Sequence, residues 1–272
     1  ILKFDQIEKH FCISRKISKY DFYSSLELNE LNNIPQFDLK SAKMIKINKK
    51  LKEIYNKNFL LSYEKKLREN HSKPHYSKSF KKKEYLFSDD VNFKRCKFKS
   101  SIEMSEINKN IFRIKRNVKY NQIIRKSDLE KLNIGAIIIS RSDSTRLKNK
   151  AFLKIGNLTS IEHCIKNTQK MRYLDKVIIA TTNLISDKIY EKYAKKNGAK
   201  IFFGSSENVI ERVYLAAKKN KLDIIVRITG DCPFVSKEIL EELLINHLNS
   251  KSDFTVADKF PVGASGEIIN FK

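Results

Sequence analysis

The sequence predicts a doubly wound α/β sheet for residues 133–272. Short apolar runs rich in β-branched residues alternate there with segments in which apolar residues recur at helical spacing. In addition, polar and charged residues follow each of the apolar runs. This combination is typical of a parallel sheet that is covered by helices on both faces and binds its ligand at the carboxyl ends of the strands.

The predicted strands are short apolar runs at 136–139, 176–182, 201–203 and 222–228. Each is followed by a predicted helix, and a serine at the start of that helix can cap its first turn. The predicted caps are Ser160, Ser186, Ser205 or Ser206, and Ser236. After the second helix, Gly198 stands where a left-handed residue would close the helix. The segment therefore alternates strand and helix throughout.

The loop after the first predicted strand collects cations and hydroxyl groups. Arg141, Arg146 and Lys150 follow one another closely, with Ser144 and Thr145 between them. A nucleoside triphosphate at the end of a parallel strand would meet these donors. The alternative interpretation is a solvated basic loop in a Lys-rich protein.

Polar residues also follow the other predicted strands: Thr181 and Thr182 the second, Gly204, Ser205 and Asn208 the third, and Asp231 the fourth. A lone Asp in a Gly-Asp-Cys-Pro turn is more often a turn former than a metal ligand. Asp231, however, would face the same crevice as three cations. Because magnesium prefers a carboxylate together with phosphate oxygens, this position suits a magnesium ion bound to a triphosphate.

Composition limits the classes of function. The chain of 272 residues has room for two domains of ordinary size, and no apolar run reaches the roughly 18 residues of a membrane span. The net charge of +24 suggests a nucleic-acid partner, but the basic residues are spread along the chain and do not alternate with aromatic residues. We therefore expect a soluble protein that binds neither membrane nor nucleic acid, with a basic nucleic-acid-binding protein as the alternative.

The four cysteines are scattered, and they form neither a C-x-x-C pair nor a cluster with histidines. This pattern predicts reduced thiols in the cytoplasm rather than a disulfide framework or a zinc site. Residue 1 is Ile, and the last residues form a strand-like run. We therefore expect a fragment that is open at both ends.

Three motifs carry a family resemblance: SRSDSTRLKNK at 140–150, FGSSENVIERV at 203–213 and VRITGDCP at 226–233. On these motifs, residues 134–272 resemble the cytidylyltransferase family that includes CMP-sialic acid synthetases, and in particular the branch of spore coat polysaccharide biosynthesis protein F. The resemblance implies a nucleotidyltransferase fold. It also implies transfer of CMP from CTP to the anomeric hydroxyl of a 2-keto sugar acid, with release of pyrophosphate.

The resemblance implies a role for each matching residue. Arg141, Arg146 and Lys150 would be the catalytic cations on the triphosphate. Ser144, Thr145 and Asn208 would contribute to nucleotide binding, and the backbone at Ile139 and Ser140 would bind the cytosine edge. Asp231 would hold Mg²⁺, which would bridge phosphate oxygens and help to deprotonate the attacking hydroxyl.

The sequence departs from the family pattern at several positions. The usual Gly of the first motif is Asp143, its Pro-Gly pair is Lys148 and Asn149, and a later family Asp is Ser265. A carboxylate at Asp143 would repel the triphosphate. These departures leave a second hypothesis open, a non-catalytic module of the same pathway that binds a nucleotide or supports assembly.

The first 35 residues contain the motif IEKHF at 7–11 and an Asp before SSLELNEL. They resemble the last strand of the (β/α)8 barrel of sialic acid synthases. The resemblance implies a divalent-metal ligand at His10 and a substrate contact at Asp21; a packed or solvent-facing histidine is the alternative for His10. Residues 36–71 are Lys-rich with weak helical periodicity, which predicts a helical connector.

Residues 72–132 contain two similar units, KPHYSKSFKKKEYLFSDDV and IKRNVKYNQIIRKSDL. Both resemble the antifreeze-like β-clip domain of sialic acid synthases, which lends a basic residue to the neighbouring subunit's active site. The resemblance implies a homodimer and a substrate contact at Arg95. Lys83 and Asn121 occupy turn positions where that domain normally has Gly, so we expect left-handed backbone there. Together the two resemblances predict a synthase-type module fused to the enzyme that activates its product.

Overall fold

The computed structural model describes residues 10–16, 25–27, 29–30, 72–96, 102–143, 147 and 149–271. The chain divides into two units, Ile1–Glu69 and Asn70–Lys272. In the first unit, a parallel bridge joins Phe11 to Leu26. The guanidinium of Arg15 donates to the carboxylate of Glu30. The predicted connector at 36–71 and the predicted substrate contact Asp21 lie outside the described residues.

The second unit begins with a small β domain that has its own apolar core. Strand β1 (Ser72–Tyr76) pairs with β3 (Val91–Arg95), and β2 (Tyr85–Leu86) pairs with β4 (Phe112–Ile114), which pairs with β5 (Leu129–Lys131). Helix α1 (Met104–Lys109) precedes β4. The two similar sequence units contact each other through the bridges His75–Ile123 and Phe80–Val118.

Both turns that were predicted to be left-handed have positive φ. Lys83 has φ 74° and Asn121 has φ 60°. The N–H of Lys83 donates to the carbonyl of Ile114 at 2.8 Å. The left-handed backbone at Lys83 thus lets this turn of one unit bond to β4.

Residues 134–271 form a six-stranded mixed sheet in the order β10, β9, β6, β11, β13, β12. Four strands are parallel: β6 (Ile134–Ile139), β9 (Lys176–Thr182), β10 (Lys200–Gly204) and β11 (Ile224–Thr229). The last two, β12 (Phe254–Val256) and β13 (Glu267–Asn270), are antiparallel to their neighbours. A hairpin of β7 (Lys154–Ile155) and β8 (Leu158–Thr159) lies between β6 and the helix that follows.

The helices cover both faces of this sheet, as the doubly wound prediction requires. They are α2 (Ser160–Gln169), α3 (Ile189–Lys196), α4 (Val209–Lys219) and α5 (Lys237–Ser250). Side chains of α2, α3 and α5 join one apolar core with Ala136 and Ile138. Side chains of α4 join the other core with Ile137 and Ile139. The central strand β6 is therefore buried on both faces, which explains its apolar composition.

Three of the predicted helix starts are wrong by one to three residues. Thr159 rather than Ser160 caps α2, because its hydroxyl and N–H both donate to Glu162 in a capping box. A 3-10 turn, Ile185–Lys188, takes the place of the start predicted at Ser186. Asn208 rather than Ser205 or Ser206 caps α4. The cap at Ser236 and the positive φ of Gly198 are confirmed.

Candidate active site

The carboxyl ends of the four parallel strands lie along one edge of the sheet. Ile139 of β6 is in register with Ala180 of β9 and with Thr229 of β11. Gly204 of β10 is in register with Thr182 of β9. Every loop that the sequence singled out therefore starts from the same edge, where parallel strands commonly bind a nucleotide.

A buried carboxylate, Asp187, holds the loop that follows β6. The backbone N–H of Ser142 donates to its Oδ1 at 2.8 Å, and the Ser142 hydroxyl donates to the same atom. Its Oδ2 accepts from the Thr181 hydroxyl at 2.9 Å and from the Thr182 N–H at 3.2 Å. Burial acts to raise the pKa of Asp187, but the hydrogen bonds from Ser142 and Thr182 outweigh it and lower the pKa. Asp187 is thus an anion that fixes the start of the cationic loop.

Close backbone contact joins the loop after β6 to the turn after β11. The N–H of Gly230 donates to the carbonyl of Ile139 at 2.8 Å. A Cβ on Gly230 would lie 2.7 Å from the Cβ of Ser140, so this position requires glycine. The Ser140 hydroxyl in turn bonds to the hydroxyl of Tyr190 at 2.7 Å. Ser140 is therefore held from two sides.

Lys150 and Asp231 meet at this edge as an ion pair. Lys150 opens a 3-10 turn, Lys150–Phe152, which follows the left-handed Asn149 with φ 57°. Asn149 stands where the family pattern has Gly, and Asn is one of the residues that tolerate a left-handed conformation. Both charged side chains remain about one-third exposed, 34% for Lys150 and 33% for Asp231. A ligand can therefore reach them.

Arg212 is a cation at this site that the sequence analysis did not assign. It lies in the first turn of α4, is 1% exposed, and donates from Nη1 to the carbonyl of Ser205. Burial and the charge of Arg141 lower the pKa of Arg212, while Asp187 opposes them. The available signal was its spacing, since Arg212 falls on the buried face of α4 together with Val213 and Ala216.

The other predicted residues of this site are placed as follows. Arg141 and Asp143 are exposed. The side chain of Asn208 caps α4 by accepting from the N–H of Glu211 at 2.9 Å. Three further predicted residues lie outside the described part of the chain: Ser144, Thr145 and Arg146. Their assignments, and that of cytosine binding to the backbone at Ile139 and Ser140, stay predictions.

Two predicted residues lie outside the α/β sheet. His10, in the first unit, is exposed, and its carbonyl accepts from the N–H of Leu26 at 2.8 Å. Arg95 is exposed at the end of β3 in the small β domain. Their proposed metal and substrate roles remain predictions.

Asp231 is a carboxylate at this edge that could hold a magnesium ion. Within the described residues, His, Cys, Asp and Glu side chains nowhere form a group of three that could hold a metal. Asp231 carries a carboxylate that is partly exposed next to a cation. A partly exposed carboxylate suits magnesium, which is often bound by one or two carboxylates together with substrate phosphate oxygens.

Comparison with known proteins assigns the α/β segment to a family. The sequence profile described as cytidylyltransferase matches residues 135–272. Spore coat polysaccharide biosynthesis protein SpsF of Bacillus subtilis is 35% identical over 140 residues, which cover 49% of this chain and 58% of that protein. An uncharacterized protein of Methanocaldococcus jannaschii is 34% identical over 140 residues, 52% of this chain and 58% of that protein.

A 3-deoxy-manno-octulosonate cytidylyltransferase of Rickettsia canadensis is 29% identical over 146 residues, which cover 50% of this chain and 58% of the relative. The chain thus spans 58% of the length of each of these curated relatives. Among solved structures, a cytidylyltransferase from Leptospira borgpetersenii is 32% identical, with 52% of this chain and 61% of that chain covered and a TM-score of 0.49.

Among the described residues, no helix is both long and apolar enough to cross a membrane.

Proposed function

Because this chain belongs to the cytidylyltransferase family, we propose that it transfers CMP from CTP to the anomeric hydroxyl of a 2-keto sugar acid and releases pyrophosphate. The observation that carries the proposal is the ion pair between Lys150 and Asp231. These residues are 81 positions apart in the sequence, and each belongs to a motif of the family. Their contact brings a cation and a carboxylate together at the edge where the loops converge.

The cations would act by stabilising charge. In CMP transfer, negative charge grows on the phosphate oxygens and on the leaving pyrophosphate, so positioned cations accelerate the reaction most effectively. Lys150 and Arg141 would bind these oxygens, and Arg146 would add a third cation. Ser144 and Thr145 would donate hydrogen bonds to the same phosphates.

Asp231 would hold Mg²⁺, and the bound ion would supply a positive charge to phosphate oxygens. In the structure, Asp231 accepts a hydrogen bond from Lys150. When the nucleotide binds, Lys150 would exchange this carboxylate for a phosphate. Asp187 would meanwhile keep the loop at Ser142 in position, so that little ordering is needed on binding.

We propose that the sugar acid is of the sialic acid type. The support is the resemblance of residues 1–35 and 72–132 to parts of sialic acid synthases, which would fuse two consecutive steps of one pathway. The small β domain would then act across a homodimer, with Arg95 close to the substrate of the partner subunit, and the protein would work in the cytoplasm. An octulosonate is the competing substrate, since one relative is named for it.

A non-catalytic nucleotide-binding or assembly module is the second candidate. It is favoured by the exposed Asp143 and by Ser265, which replace a Gly and an Asp of the family pattern. At an effective dielectric of 20, a carboxylate 6 Å from a phosphate charge is repelled by about 3 kcal/mol. Such a penalty would weaken the binding of the triphosphate.

The test is pyrophosphate release by the full-length protein with CTP and Mg²⁺. The acceptors are sialic, legionaminic and pseudaminic acids and 3-deoxy-manno-octulosonate. We expect release with at least one acceptor and a loss of at least about 100-fold in Asp231→Asn. Asp258→Asn is the matched control, because Asp258 is exposed. If CTP binds but no acceptor yields pyrophosphate, the non-catalytic module is the correct interpretation.

A further inference from the structure

Arg212 is a buried cation that the proposed chemistry leaves without a role. Its side chain is 1% exposed, and its stem packs on β10, where a Cβ on Gly204 would lie 3.0 Å from the Cγ of Arg212. The Nη1 atom donates to the carbonyl of Ser205, but the buried Nε has no hydrogen-bond partner. A charged group that is buried with incomplete pairing is destabilising. Its presence therefore calls for an explanation beyond packing.

A continuous series of contacts connects Arg212 to the loop that follows β6. The stem of Arg212 packs on Gly204, and Gly204 is in register with Thr182. Thr182 donates to Asp187 from its N–H and from its hydroxyl. Asp187 accepts from the N–H and the hydroxyl of Ser142. The series therefore crosses from the first turn of α4 to the cationic loop.

The charges of Asp187, Arg141 and Arg212 also link the two ends of this series of contacts. Asp187 and Arg212 are both buried, and the carboxylate of Asp187 favours the charged form of Arg212, because it acts to raise the pKa that burial lowers. Arg141, on the loop itself, carries a charge of the same sign as Arg212 and repels it. An anion that bound at the loop would relieve this repulsion, because it would attract both guanidinium groups.

We infer that Arg212 is a positioning residue for the nucleotide, because it couples the loop after β10 to the loop after β6. On one side it holds the carbonyl of Ser205, and on the other it balances the charge of Asp187, which fixes Ser142. The two loops then present their backbone to CTP as one rigid unit. The role rests on the proposed function, since CTP is the ligand that these loops would hold.

The variants are Arg212→Met, which removes the charge, and Arg212→Lys, which keeps it but loses the fork of donors. Lys218→Met is the matched control, because Lys218 is an exposed cation on the same helix. We expect Arg212→Met to raise the Kd for CTP at least about tenfold. Arg212→Lys should recover about half of this loss of affinity on a logarithmic scale. Lys218→Met should leave the Kd within about twofold of the wild-type value.

A second measurement does not depend on CTP. Amide hydrogen exchange reports local opening, and the N–H groups of Ser142 and Thr182 donate to Asp187. We expect both groups, together with residues 205–208, to exchange about tenfold faster in Arg212→Met. A purely structural Arg212 would affect only residues 205–208. Arg212→Lys should show the same pattern with smaller changes, and it decides the question if the Met variant does not fold.

The outcomes separate the two proposals. If the wild-type protein does not bind CTP, the proposed function fails, while hydrogen exchange still decides whether Arg212 couples the loops. If Ser142 and Thr182 exchange at the wild-type rate in both Arg212 variants, the coupling does not exist and the inference is overturned. Unchanged CTP affinity in Arg212→Met would overturn it as well, even with faster exchange.

Discussion

Replacing Asp187 with Asn tests the architecture of the site with almost no change in side-chain size. In the wild type, Oδ1 accepts from the N–H of Ser142 and Oδ2 accepts from the N–H of Thr182. An Asn side chain has one acceptor oxygen. Whichever way its amide group turns, one of these two backbone donors then faces an NH₂ group. The threonine and serine hydroxyls can rotate and become acceptors, but the backbone donors cannot.

The expected loss of stability follows from this count. Leaving one buried backbone donor without an acceptor destabilises by about 1–3 kcal/mol, and the remaining hydrogen bonds lose the strength that a charged acceptor gives them. We therefore expect the free energy of unfolding at pH 7 to fall by about 2–4 kcal/mol. For a unit of this size, 1 kcal/mol corresponds to about 2–4 °C, so Tm should fall by about 5–15 °C.

The loss should depend on pH with a defined sign. Burial acts to raise the pKa of Asp187, but the hydrogen bonds from Ser142 and Thr182 lower it. A carboxyl group with a lowered pKa stabilises the folded state above its unfolded pKa of about 3.9, and this contribution disappears as the pH falls toward the folded pKa. The difference between the wild type and Asp187→Asn should therefore be complete at pH 7 and should shrink below about pH 4.

Thermal and denaturant unfolding at pH 7, 5 and 3 would measure this difference. The control Asp258→Asn removes an exposed carboxylate and should change stability by less than about 0.5 kcal/mol. If Asp187→Asn has the wild-type Tm at pH 7, the carboxylate does not hold the loop. A difference that stays constant down to pH 3 would show that the charge of Asp187 is not what stabilises the loop.

Three further substitutions test other parts of the site and fold. Gly230→Ala places a Cβ 2.7 Å from the Cβ of Ser140, so Tm should fall and the Kd for CTP should rise about tenfold, as measured by calorimetry. Lys150→Gln breaks a partly exposed pair with Asp231, so stability should change by less than about 1 kcal/mol, whereas pyrophosphate release should fall at least about 100-fold. Glu162→Gln should destabilise by about 1–2 kcal/mol at pH 7. Burial acts to raise the pKa of Glu162, yet its hydrogen bonds lower that pKa to about 2. The stability difference between the wild type and Glu162→Gln should therefore shrink between about pH 4 and pH 2. Denaturation at several pH values would measure it.

Much of the site could be predicted because its residues follow strands. The apolar run before Arg141 and the run before Asp231 are local signals, and parallel strands bring their carboxyl ends to one edge whatever the helices between them are. The contact between Lys150 and Asp231 agrees with this expectation. The helix starts were harder to predict, because several neighbouring polar residues could each cap the first turn of a helix. Only the folded geometry determines which of them does so. Thr159 was selected over Ser160 because its N–H and hydroxyl both donate to Glu162.

The sequence by itself determined the alternation of strands and helices and the edge at which polar residues collect, whereas the left-handed turns at Lys83 and Asn121 were expected from the family resemblance. The alternation and the edge follow from hydrophobic periodicity along the chain. Only the tertiary structure identified Asp187 and Arg212. Ser142 and Asp187 are 45 positions apart, and no local pattern distinguishes such a buried charge from a solvated one. Burial and hydrogen-bond partners, which arise only when distant segments pack together, give these two residues their roles.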